Sequence, residues 1–304
     1  MKLNKIYSLA SALAVATILN QLGIINSANA ATIRLTGLTD NNTLVSFKPE
    51  SPNSIASVGV TGLNGNLLGI DFRPANQMLY GVTDTNNIYT INPTTGAATF
   101  VSTLSPTLFT AGQQSGFDFN PVPDRLRLVG NNDQNLRINV DTGAVIVDGT
   151  LAYAATDANA GANPNITAAA YTNSFAGTTT TQLFNIDSNL DILVQQNPPN
   201  NGTLNTIGSL GIDFGSTGGF DIFTGSDQTT NTAFAASGSS LYNINLATGA
   251  ATTLGTIGNN VNIVGLAATS VPESSNTNSL LGFGVFGLAF GLFSRYSRRV
   301  KLVN

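Results

Sequence analysis

Cysteine, histidine and tryptophan are all absent from this chain of 304 residues. Without Cys there is no disulfide framework, no thiolate metal site and no cysteine nucleophile. Without His the commonest general base and the commonest metal ligand are gone. Charge is scarce as well: Asp, Glu, Lys and Arg make up 9% of the residues, against roughly 25% in an ordinary globular protein. Surface polarity therefore falls to Asn, Thr, Ser and Gln, which suit sheets and turns better than helices. The few charges are unevenly placed. Lys2 and Lys5 sit near the start, and Arg295, Arg298, Arg299 and Lys301 near the end. Between residues 31 and 272 there are 6 basic and 15 acidic residues, a net of −9. Such a body lacks the basic stripe that displaces counterions from nucleic acid, so nucleic acid is excluded as a partner.

The two ends read as export signals. Lys2 and Lys5 form a positive region, Ile6 to Leu19 is largely apolar, and Ala28-Asn29-Ala30 is a small-x-small cleavage site. That order predicts a signal peptide over residues 1–30, cut by signal peptidase before Ala31. At the other end, Val271-Pro272-Glu273-Ser274 precedes a polar spacer, an uncharged stretch from Leu280 to Phe293 and the basic cluster. An apolar segment followed by Arg295, Arg298 and Arg299 predicts a transmembrane helix over 280–296 whose end stays cytoplasmic. The whole of 271–304 resembles the PEP-CTERM sorting signal of Gram-negative bacteria, with Ser274 where Pro is commoner. The resemblance implies transient anchoring in the inner membrane and recognition by an exosortase, a membrane transpeptidase that cuts near the motif. The body then passes to the cell surface or beyond.

Between these ends the chain repeats. Leu68 to Val101 reads as four short strands, 68–72, 77–83, 87–92 and 97–101, separated by Arg-Pro-Ala-Asn, Asp-Thr-Asn and Pro-Thr-Thr-Gly turns. Four strands with tight turns make an antiparallel meander. A meander that is apolar on both faces needs neighbours of its own kind. A second copy starts at Gly116, a more divergent third at Asn165 and a fourth at Gly218. Ala31 to Val60 supplies the last three strands of a copy but not its first. Val261 to Ser270 supplies a first strand with no sheet of its own. Joined, the two ends complete a fifth sheet and remove the exposed edges. The expectation is all-β: a five-bladed β-propeller over residues 31–270, closed by its terminal strands. Residues 152–163 read as a Gly/Ala/Asn-rich loop between blades, and Asp213 as part of a connection.

The runs GFDFNPVPDRLRLV, NLRINVDTGAV, DGTLAYAATDANAGANPNITAAAYTN and NPPNNGTLNTIGSLGIDFG resemble the bacterial domain-of-unknown-function family 4394. The likeness runs from Ile33 to Ala268 and brings no catalytic residues with it.

Asp71, Asp118 and Asp221 occupy one position in three first strands, each within Gly-[Ile/Phe]-Asp-[Phe/Ile]. First strands line a propeller's axis, so these carboxylates can converge. Close carboxylates repel unless a proton or cation sits among them, and an oxygen-only ligand set suits Ca²⁺. The other reading makes each Asp a structural pin that accepts turn or inter-blade amides. Asp157, Asn159 and Asn163 alternate as in a calcium loop, but the sixth-position Gly is missing and the twelfth position is Ala168. Arg125, Arg127 and Arg137 form the sole basic group of the body, suited to an anionic sugar or to pairing with Asp124, Asp133 or Asp141 on the blade surface. The expected function is an exported, non-catalytic surface or matrix protein that contacts extracellular polysaccharide. The alternative is a carboxylate-based, calcium-assisted polysaccharide hydrolase.

Overall fold

Each repeat folds as a meander because residues tolerant of left-handed backbone sit at its bends: Asn42, Asn86, Asp124, Asp133 and Asp191 all have positive φ. The computed structural model describes residues 32–271. They form five sheets, the blades of a β-propeller, antiparallel throughout except for one short strand of blade 4. Blade 1 holds β1 (Thr32–Thr39), β2 (Thr43–Lys48) and β3 (Ser51–Gly59). Blade 2 holds β4 (Leu67–Phe72), β5 (Leu79–Thr83), β6 (Asn87–Ile91) and β7 (Ala98–Thr103). Blade 3 holds β8 (Ser115–Asn120), β9 (Arg125–Gly130), β10 (Asn135–Asn139) and β11 (Ala144–Val147). Blade 4 holds β12 (Ala152–Tyr153), β13 (Ile166–Tyr171), β14 (Leu183–Asp187), β15 (Ile192–Gln196) and β16 (Thr203–Ser209). Blade 5 holds β17 (Gly218–Thr224), β18 (Asn231–Ser237), β19 (Ser240–Ile244) and β20 (Ala251–Thr256). The last strand, β21 (Ile263–Val271), returns to blade 1 and pairs with β1 from Thr32↔Val271 to Thr39↔Ile263. It is the missing first strand of the N-terminal copy.

The innermost strands β4, β8, β13, β17 and β21 touch one another in that order around the axis, and β21 touches β4. Both faces of each blade are apolar, so the core is divided into one hydrophobic layer per blade interface. Leu68, Phe117 and Leu128 lie between blades 2 and 3; Val129, Ile166 and Val194 between 3 and 4; Phe184, Phe214 and Phe220 between 4 and 5. Phe47, Phe234 and Leu266 lie between 5 and 1, and Leu38, Ile70 and Tyr89 between 1 and 2.

The outer rim is stitched by the Thr-Gly turns. Gly96 takes φ +72°, and a Cβ there would fall 2.1 Å from the Gly59 carbonyl oxygen of the preceding blade. Gly143 repeats this against Thr103. Only glycine permits both the bend and the approach.

One segment departs from expectation. Ala152–Tyr153 is not loop but a two-residue strand, parallel to Thr203–Leu204 on the outer edge of blade 4. Asp213 does lie outside the strands and accepts the Gly215 N–H in its own turn. The predicted signal peptide with Ala28 and Ala30, the motif residues Pro272, Glu273 and Ser274, the predicted 280–296 helix and Arg295, Arg298 and Arg299 lie outside the described residues.

At the axis, glycine sets how closely inner strands approach. A Cβ on Gly219 would fall 2.4 Å from the Leu266 backbone nitrogen, whereas one on Gly59 meets nothing within 4 Å. Gly219→Ala is expected to cost about 1–3 kcal/mol through overpacking, and Gly59→Ala to stay within about 0.5 kcal/mol. Urea unfolding of the two variants checks this.

Candidate functional site

The inner-strand repeat Gly-x-Asp does two things on one strand face. At Gly69, Gly116 and Gly219 the missing side chain lets the next inner strand come close: an added Cβ would collide with Phe117, Ala169 and Leu266 respectively. Two residues on, the Asp reaches across the same gap. Asp71 Oδ2 accepts the Phe119 N–H at 2.9 Å. Asp221 Oδ2 accepts the Ala268 N–H at 2.5 Å, and its Oδ1 accepts the Ile222 N–H at 2.6 Å. Asp118 accepts from the Tyr171 amide in the same way. Each carboxylate thus pins its inner strand to the next one around the ring. The equivalent positions on β13 and β21 are Ala170 and Ala267.

The three pins also meet one another. Asp71, Asp118 and Asp221 are at most 3% exposed, and one oxygen from each lies within 4.8 Å of the others. None forms an ion pair with Lys or Arg among the described residues. Burial, then the Asp221 charge, holds Asp71 well above the usual carboxylate range. Burial followed by Asp71 and Asp221 does the same to Asp118. Burial pushes Asp221 up to about 7, against the pull of the Ala268 and Ile222 amides. Asp118 Oδ1 is buried with no hydrogen-bond partner.

Access is the other half of the geometry. The axial cavity, lined by Gly69, Ser115, Phe117, Ala168, Gly219 and Val264 among others, has a volume of about 10 Å³. That is room for a single water molecule, whereas small-molecule sites typically need about 300–1,000 Å³. The three aspartates do not themselves line this cavity, and at most 3% of each is exposed. Larger openings lie elsewhere. One of about 540 Å³ is lined by Thr172, Asn173, Thr180, Gln182, Phe184 and Asn231, between blades 4 and 5. Another of about 440 Å³ lies on blade 2 beside Phe72, Met78 and Pro93.

The other sequence candidates have structural employment. Arg127 is not on the surface: it is fully buried and donates to Asp148, Asn135, Tyr171 and Asn200, clasping blade 3 to blade 4. Arg137 joins it on Asp148, and Arg125 donates to the Pro123 and Asp124 carbonyls. The carboxylates expected to pair with them do not form ion pairs with this trio. Asp124 and Asp141 both receive Arg73, reaching over from blade 2, and Asp133 Oδ1 is buried without a partner. No cationic patch for an anionic sugar is left by this trio. The two Asp157 oxygens accept the Thr206 N–H, the Thr206 hydroxyl and the Asn159 N–H, tying the segment to β16. Arg73 and the Asp148 clasp had no signal in sequence spacing, since their partners lie in other strands or blades.

A family model described as "Domain of unknown function (DUF4394)" matches residues 43–267. No match was found among curated proteins. Among solved structures, the chain is similar to one in a nidogen/laminin complex, at 12% identity and TM-score 0.46, over 78% of this chain and 98% of that one. It is also similar to a structural genomics protein of unknown function from Bacteroides thetaiotaomicron VPI-5482, at 18% identity and TM-score 0.42, over 76% of this chain and 59% of that one. At that similarity neither bears on function.

The raised carboxyls give a signed pH dependence. Without a cation, the folded chain holds protons on these aspartates that the unfolded chain releases above about 3.9. Their contribution is complete below that value and is lost as pH rises through about 7, where Asp221 ionises. Asp141, lowered by the Arg73 hydrogen bond, acts oppositely and only at lower pH. In chelator the melting temperature should therefore fall between pH 4 and pH 7, and Asp221→Asn should flatten that fall. A melting temperature that climbs across the same interval in wild type would contradict protonated axial carboxyls.

Proposed function

Because the chain belongs to the DUF4394 family, whose description names no activity, we propose its function from the geometry of the propeller. It is an exported, non-catalytic protein of the cell surface or extracellular matrix, and its outer face is a binding scaffold. One observation carries this reading: the sole cluster of three or more acidic side chains among the described residues is sealed in the axis and engaged in holding blades together. Its carboxylates are at most 3% exposed, too little for a polymer to engage. Binding then falls to the rim, where the opening between blades 4 and 5 presents hydroxyl and amide groups without a charge. That chemistry suits a neutral polysaccharide.

Export rests on the terminal signals. Signal peptidase removes the segment before Ala31, and an exosortase-type transpeptidase cuts near Val271–Ser274. The closing strand fits the second step: β21 pairs with β1 as far as Val271, so a cut beyond the motif leaves that pairing in place.

The test is to incubate the purified chain with neutral and anionic bacterial polysaccharides and to measure both retention and release of new reducing ends. Retention of a neutral polymer without release is the expected outcome, weakened by Gln182→Ala in the rim groove. Release that disappears in Asp71→Asn, Asp118→Asn or Asp221→Asn would establish the hydrolase instead. In a Gram-negative host with an exosortase, a tag within the body should appear outside the inner membrane. Recovery of the tag from the cytoplasm alone would refute export.

A further inference from the structure

We propose that Asp71, Asp118 and Asp221 together hold one divalent cation, calcium by its ligand chemistry, as a structural bolt on the propeller axis. Three buried carboxylates on three blades, with no Lys or Arg paired to them, need positive charge from somewhere. Protons are one source, but the surroundings are built for anions. The backbone groups that reach these oxygens are the N–H groups of Phe72, Phe119, Tyr171, Ile222 and Ala268. All are donors; the acceptor open to a proton is the partner carboxylate, since Asp118 and Asp221 are in side-chain hydrogen-bond contact, so a proton shared by that pair is the rival that metal content decides.

A second observation points to a ligand. Asp118 feels both of the other carboxylates, is 1% exposed, and its Oδ1 has no hydrogen-bond partner. A buried carboxyl oxygen left without a hydrogen-bond donor calls for a partner, and a cation supplies one. The spacing agrees. Oxygens on opposite sides of a calcium ion stand about 4.6–5.2 Å apart, from Ca–O distances of about 2.3–2.6 Å. The three ligand oxygens lie within 4.8 Å of one another. Three carboxylates offer up to six oxygens, the lower end of calcium's coordination number of about 6–8. Magnesium dehydrates reluctantly and keeps several waters. The neighbouring axial space, about 10 Å³, has room for one.

A cation there would link blades 2, 3 and 5 directly. Their amide pins already reach blades 3, 4 and 1. All five blades would then be tied through one point. This is independent of where the protein resides, because metal content is read on the purified chain.

The test uses the full chain, unfolded in urea and refolded with either calcium chloride or a chelator, then desalted. One calcium per chain by elemental analysis is expected after refolding in calcium, with a melting temperature that rises with the logarithm of calcium concentration. Terbium should bind in calcium's place and luminesce when excited through Tyr171, whose amide faces Asp118; Tyr171→Phe should dim it. Asp118→Asn should lose the metal while Asp157→Asn keeps it. If Asp118→Asn does not refold, the calcium content of the wild-type chain decides alone. Wild type that retains no calcium and melts identically in calcium and chelator would overturn the proposal. So would Asp118→Asn retaining calcium as wild type does.

Discussion

The hydrogen bond that an inner-strand carboxylate accepts from the next inner strand's amide is the constraint on which this ring depends. Five sheets can pack face to face in many ways, because hydrophobic burial has no direction. The Asp71, Asp118 and Asp221 bonds have direction. Each requires the neighbouring strand at one height and one distance, and the glycine two residues earlier makes that distance attainable. A hydrogen bond to a charged group contributes roughly 1.5–3 kcal/mol, modest beside the apolar layers. Its contribution is to select one register out of several that the apolar layers alone would accept.

That choice has an electrostatic cost, and the cost explains the distribution of the motif. An aspartate on every inner strand would place five carboxylates around one narrow axis. The chain keeps three and puts Ala170 and Ala267 in the other two places. Away from the axis, ionic cohesion is arranged differently. Arg73 crosses a blade interface to pair with Asp124 and Asp141, whereas Arg127 pairs with Asp148 of its own blade and donates across the interface to Tyr171 and Asn200. Burial alone would raise Asp148, but hydrogen bonds from Arg137 and Arg127 hold it below its ordinary value. Charge is rare in this chain, and two of its five described arginines, Arg73 and Arg127, are occupied in joining blades.

Much of this was legible in the sequence. The repeating Gly-x-Asp and Thr-Gly signatures are local, and they mark inner strands and outer turns. The complementary halves at residues 31–60 and 261–270 implied closure because a lone strand and a three-strand sheet have one economical solution. Convergence of Asp71, Asp118 and Asp221 followed from their shared position on axial strands. The illegible parts were those set by contacts distant in sequence. Arg127 meets Asn200 and Tyr171 across a blade boundary, and nothing in DRLRLV indicates which side of the strand will be sealed. Asp124 and Asp141 read as partners for Arg125, Arg127 or Arg137 because Arg73 lies 51 and 68 residues away from them in the chain. The strand β12 is two residues long, too short for any alternation to register.

The pairing of β1 with β21 also places a demand on time. A ribosome makes β1 to β3 first and β21 last, with roughly two hundred residues between. At about 5–20 residues per second, β1 waits on the order of 10–40 s with one edge unpaired. Exposed edges recruit other chains, and β1 carries only Arg34 as a charge against that. Blades 2 to 5 are each made of strands close in sequence and can form as they emerge; blade 1 cannot. The protein is therefore most vulnerable to mispairing at its beginning, and only its final strand ends that exposure.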